Sequence, residues 1–205
     1  MNEKKYEITN IAHPQYPWLH RIRALRNVRE DVRAGDLGGF VESESNLSQE
    51  GTCWIYDNAI ACENARVTED STLRRSAKVL DAAVISGDAC LDWSAFVMHN
   101  AVVASGEISG LAIVGGHAKI LGGAPNHGSP MIRDEASICG KVIGNIEISG
   151  FYEVLPSTKI ENHRREPLRL HSDEFAGYMM MPREPQKPAG FVLPPKQKKR
   201  SEIER

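Results

Sequence analysis

Between Thr52 and Ser105 a small residue returns every six positions, and an aliphatic residue follows it two places later. Ala77, Ala83, Ala89, Ala95 and Ala101 are small positions; Val79, Ile85, Leu91, Val97 and Val103 are the aliphatic ones. The same rhythm runs backward through Ser71/Leu73, Ala65/Val67 and Ala59/Ala61 to Cys53/Ile55, giving nine hexads without a gap. A period of six matches neither the 3.6 of a helix nor the 2 of a flat strand. It fits one side of a triangular coil, a short strand followed by a corner. Three sides close a coil of about 18 residues, and successive coils stack as parallel strands. The aliphatic residue fills the interior, and the small residue sits where a larger side chain would clash with the turning backbone. Three interior columns are predicted: Ile55, Leu73 and Leu91; Ala61, Val79, Val97 and Val114; and Val67, Ile85, Val103 and Ile120. The frame slips by one residue after Ser105, resumes at Ala112 and Ala118, breaks at "GGAPNHGSPMI", and returns weakly at Ala136/Ile138.

The flanks read differently. "YEITN" and "HRIRALRNV" alternate apolar and polar residues, a strand signal, and are expected to form a hairpin-like cap over the first coil. "AGDLGGFVESESNLS" reads as a glycine-rich turn into the solenoid. Past Gly150 the rhythm stops, and one strand and a short helix around Ser172 to Met180 are expected. From Pro182 onward come five prolines and then "KQKKR", read as a disordered tail. The predicted organisation is an N-terminal β cap over 1–45, a parallel β-helix over 46–150, an irregular extension over 151–181 that packs on the helix or a partner, and a tail over 182–205.

The residue after each small position points out of the coil. Stacking the coils, by eighteen and by seventeen for the last step of the second and third columns, gives outer columns Trp54, Thr72, Cys90 and Ile108; Ile60, Lys78, Phe96 and Ile113; and Arg66, Val84, Val102 and Lys119. A sheet facing water should be polar outside, yet these columns turn apolar toward the later coils, which implies a cover. Val84, Phe96, Val102, Ile108 and Ile113 are therefore the expected interface of a homo-oligomer, a trimer or a dimer, with a host protein as another possible partner. The competing cover is the chain's own segment 151–180.

Charge is uneven. Residues 46–150 carry 7 Lys/Arg against 12 Asp/Glu, and residues 151–205 carry 11 against 8. No concentrated basic face emerges, so nucleic acid is not an expected partner. The four cysteines form no CxxC pair and no zinc spacing. No apolar run is long enough to span a membrane or to form a signal-peptide core, so a cytoplasmic protein with free thiols is expected.

"GDLGGFVESESNLSQEGTCWIYDNA" with "NARV", and later "IVGGHAKILGGAP" and "IGNIEISG", resemble the YdcK-type hexapeptide-repeat proteins of bacteria and prophages over roughly residues 20–150. The resemblance implies an all-β, left-handed parallel β-helix, often oligomeric, and it brings an acyltransferase label. Hexapeptide acyltransferases use a histidine as general base, near a loop that leaves the coil, with acyl-CoA along the outer wall. Here the break carries His127, His117 opens the preceding hexad, and His99 lies one coil earlier, so the three are expected on one edge. A zinc site of the γ-type carbonic anhydrase kind needs two closely spaced histidines in one chain; His117 and His127 are ten residues apart across the break, and no metal is expected. After the break only one clean hexad remains, a short wall for acyl-CoA. On these grounds the favoured reading is a non-catalytic, self-associating binding protein of phage or prophage type, without a cofactor. The alternative is an acyl-CoA-dependent acyltransferase using His127, with His117 second.

Overall fold

The computed structural model describes residues 4–125, 127–175 and 180–193. Its strands form three sheets of nine, seven and six strands, here sheets I, II and III, around one interior. Each coil places one short strand in each sheet. Trp54–Ile55 lies in sheet II, Ile60–Ala61 in sheet I and Arg66–Val67 in sheet III; Thr72–Leu73 then returns to sheet II and pairs in parallel with Trp54–Ile55. Seven such strands in sheet II make a parallel β-solenoid of about seven turns. The three interior columns stack as the period predicts: Leu73 on Ile55 and Leu91, Val79 on Ala61 and Val97, Ile85 on Val67 and Val103. All of them, and the alanines at the small positions, are fully buried.

The corners hold the left-handed backbone. Asp57, Glu63, Glu69, Arg75, Asp81, Gly87, Trp93 and His99 all have positive φ, six residues apart. Only one of the eight is glycine, although L-residues pay about 1–2 kcal/mol for this conformation. Side chains help to offset the cost. Glu63 accepts the amide of Asp81 at 2.8 Å, Asp81 accepts that of His99 at 2.8 Å, and His99 Nδ1 accepts that of Gly116 at 3.0 Å. Glu69 does the same for Gly87, and Asp57 for Arg75. Each of these five side chains thus satisfies the corner amide of the next coil, and much of the acidic charge of this region is spent here.

Val102–Val103 and Glu107–Ile108 are joined by a corner one residue shorter than those before it, Ala104–Gly106. Ile108 therefore pairs with Leu91 and is buried in the interior, while Glu107 takes the outer position beside Cys90. This corrects the placement of Ile108 as an outer, interface residue: adding eighteen across the slip moves it to the wrong face. The break leaves the coil after Leu121 and rejoins sheet II at Met131–Ile132, in register with Glu107–Ile108.

At the N-terminus Tyr6–Ala12 and His20–Ala24 pair antiparallel, and Leu37–Val41 carries them onto Ile60–Ala61 at the edge of sheet I. Gly38 and Gly39 lie within that last strand rather than in a turn; a Cβ on Gly39 would stand 2.5 Å from the Ala59 carbonyl. The fully buried Lys5 ammonium donates to the carbonyls of Glu50 and Cys53, satisfying acceptors at the open end of the first coil. Beyond Gly150, where the rhythm is lost, Glu153–Val154, Lys159–Asn162 and Leu168–Ser172 add another strand to each sheet. The expected helix around Ser172 to Met180 begins instead on a strand residue; its residues 176–179 lie outside those described. Within the segment expected as a disordered tail, Arg183 and Gln186 bond to Glu63 of the solenoid and Phe191 packs on Trp18, whereas 194–205 fall outside the described residues.

Candidate functional site

The structure separates the candidate histidines. His99 and His117 sit on the edge between sheets I and III, after Phe96–Val97 and Ile113–Val114. Both are exposed. His127 sits on the next edge, between sheets III and II, in the loop that leaves the coil. The strand Lys119–Leu121 intervenes, so His117 and His127 do not share an edge: one side of the triangle lies between them. His99 is engaged in the corner ladder through Nδ1. His127 is half-buried, and its Nδ1 is 2.6 Å from the carbonyl oxygen of His163, in a later corner on the same edge. A carbonyl can only accept, so Nδ1 carries the proton and Nε2 of the neutral ring holds a lone pair. His163 in turn meets Glu161 at 2.7 Å.

The outer face of sheet I is covered by the chain itself. Phe96 and Ile113, expected at an interface between copies, are buried in a second apolar cluster with Tyr16, Leu19, Ile60, Met98 and Met180. The loop His13–Trp18 and the C-terminal segment from Met180 supply the cover. Met180 lies over Gly115 and meets Cys139, and Phe191 packs edge-on against Trp18. Arg183 pins this strap to the corner ladder through ion pairs with Glu63 and Asp81, and the Gln186 amide donates to Glu63. Burial would raise both carboxyls, but the hydrogen bonds from Arg183 and backbone amides outweigh it and hold them below the ordinary carboxylate range. Val84 and Val102, by contrast, are only half-buried, side by side on sheet III between Arg66 and Lys119.

Between loop and strap lies a cleft of about 670 Å³. Lys78 stands in its floor, its charged form disfavoured by burial, 5.6 Å from the Tyr16 ring centroid and 3.6 Å from the Glu184 carboxylate. His13 in the wall accepts the Gln15 and Tyr16 amides through Nδ1; burial and the charges of Lys78 and Arg21 keep its ring neutral to lower pH than usual. The sequence alone marked neither residue. The available signal was a lysine between isoleucine and phenylalanine in an otherwise apolar outer column.

Two other clusters do not form a reaction centre. Ser149 Oγ and Asp173 flank His171 at 2.8 Å each, but the Gly150 amide goes to Asp134 and the Phe151 amide to Ser172, so neither can serve an oxyanion. Among the described residues no group of three or more His, Cys, Asp or Glu is set to hold a metal. The cysteines are free, and burial foremost raises the thiols of Cys53, Cys62 and Cys139. Among the same residues no helix is long and apolar enough to cross a membrane.

No family model matches the chain. Among curated proteins it is 45% identical over 62 residues to a protein of Escherichia coli (strain K12) described as the uncharacterized acetyltransferase YdcK. The match covers 27% of this chain and 19% of that protein. The local identity and the stacked parallel solenoid together fit a hexapeptide-repeat protein of the YdcK type.

Proposed function

We propose that this protein transfers an acyl group from acyl-CoA to an amine or hydroxyl acceptor, with His127 as general base. The observation that carries this reading is the 2.6 Å contact of His127 Nδ1 with the His163 carbonyl, which leaves Nε2 basic on a loop raised from the coil. In the reaction Nε2 takes the proton of the acceptor as its oxygen or nitrogen attacks the thioester carbonyl. The C–S bond breaks, and the proton passes from the imidazolium to the departing thiolate. The three strands beyond Gly150 extend the outer wall past the loop, which supports room for a long donor. The partial match to a protein described as an acetyltransferase supports the same class. His117, on another edge, has no part in this reading. The experiment is turnover of acetyl-CoA against a panel of amines and alcohols. His127→Ala should lower it by about a hundredfold or more. Full activity of that variant, or no CoA binding at millimolar concentration, overturns the proposal.

A second reading, self-assembly without catalysis, is favoured by Val84 and Val102. Two adjacent valines on a partly uncovered sheet suit a contact between copies in a dimer or trimer, or with a host protein, in the cytoplasm of a bacterium carrying a phage or prophage. Val102→Glu should then reduce the particle mass in light scattering. A wild type that is already monomeric removes this reading.

A further inference from the structure

The cleft on sheet I lies on the side of the triangle away from the His127 edge, and its reading does not rest on acyl transfer. Its floor is the outer column Ile60, Lys78 and Phe96, joined by the hydroxyls of Ser76 and Ser94. One wall is His13 to Tyr16 and the other Pro182 to Glu184. The volume is that of a small-molecule site. Lys78 is the feature that packing does not explain. Ile60 and Phe96 on either side are buried, and a cation placed between them loses hydration. Its carboxylate partner, Glu184, is 70% exposed and 3.6 Å away, a loose partner for a cation whose own side chain is three-quarters buried, at 26% exposure. Arg183, the neighbouring cation, is already engaged by Glu63 and Asp81. His13 is kept neutral, and with Nδ1 occupied it offers an Nε2–H donor.

We propose that this cleft binds a small monocarboxylate with an aromatic or branched aliphatic body, its carboxylate replacing Glu184 on Lys78. The body lies along the Tyr16 ring and the exposed Leu111, which line the same cleft over the covered Ile60 and Phe96. The serine hydroxyls and the His13 Nε2–H provide donors for the remaining carboxylate lone pairs. Glu184, carried on the strap, is the chain's own occupant of the same position.

Isothermal titration of the full chain with 3-phenylpropionate tests this, with 3-phenylpropionamide as the neutral control. The carboxylate should bind about tenfold or more tightly than the amide, the difference expected of a charge-assisted contact. Lys78→Met, which keeps the length and apolar bulk of the side chain, should lose about tenfold in carboxylate affinity and leave amide binding unchanged. Glu184→Gln, which removes the internal competitor, should bind the carboxylate more tightly than the wild type. Equal binding of acid and amide, an unaltered affinity in Lys78→Met, or no carboxylate binding to Glu184→Gln at about 10 mM overturns the proposal. The comparison of acid with amide is made on the wild type, so it decides the matter even if a variant fails to fold.

Discussion

Corner residues bear the strain of this fold. Asp57, Glu63 and Asp81 occupy a conformation that glycine would adopt more cheaply, yet glycine could not accept the next coil's amide. The two requirements oppose each other, so replacing a corner acid by glycine should be nearly neutral, whereas a side chain forced onto the glycine corner at Gly87 should be harmful. Asp57→Gly relieves backbone strain and loses one exposed hydrogen bond; its stability should stay within about 1 kcal/mol of wild type. Gly87→Ala relieves nothing. Its φ is +59°, and the new Cβ would stand 2.1 Å from the Ala104 carbonyl, so a loss of about 2 kcal/mol or more is expected. Chemical denaturation of both variants checks this, and equal losses would contradict the role given to the corners. Lys78 makes a related point. Its outer position suggests that Lys78→Asp is nearly silent, but in the cleft the new carboxylate would face Glu184.

At the scale of the element, a two-residue strand has no independent stability. It holds because its interior side chain touches the coils above and below. Leu91 lies between Leu73 and Ile108 and is fully buried. Leu91→Ala opens a gap shared by three coils, and a loss of about 2–5 kcal/mol is expected. Lys119→Ala, exposed on the outside of sheet III, should change stability by about 0.5 kcal/mol or less. Denaturant midpoints distinguish them; similar midpoints would mean that the hexad phase is wrong.

In the whole molecule, the strap joins residues more than a hundred positions apart, Arg183 to Glu63 and Asp81. Both carboxyls are held below their ordinary values of 4.5 and 3.8, so their contribution to strap docking is complete above about pH 4.5. As pH falls below 3.8 and through the lowered folded values, they protonate and the contribution is lost. Limited proteolysis after Met180 should therefore accelerate in this acid range while the coils stay protected. Arg183→Glu, which sets a third carboxylate beside the other two, should show the same accelerated cleavage at pH 7. Equal protection in wild type and variant at pH 7 would mean that the ion pairs do not hold the strap. Released, the strap uncovers part of the apolar surface around Ile113 and Met98, so the variant should also self-associate in light scattering.

The hexad was legible in the sequence because its cause is local and repeated: each side of the coil needs one small and one aliphatic residue at a fixed offset. Nine repetitions suffice to set the three sheets, the interior columns and the register from Ile55 to Val103. Where the repeat failed, so did the reading. A corner shortened by one residue turned Ile108 inward, and strands beyond Gly150 form on the template of the coil beneath them rather than on a pattern of their own. The candidate site was less legible. Sequence spacing picked His127 out of the break but could not tell that His117 belongs to another edge, nor which ring nitrogen His163 would occupy. The cleft was beyond its reach, because His13, Lys78 and Glu184 meet only when both ends of the chain return to sheet I. An outer apolar column announces that something must cover it, since exposed apolar surface costs free energy whatever lies opposite. Only the tertiary structure decides what the cover is, because the gain from burying that surface is indifferent to which segment supplies it.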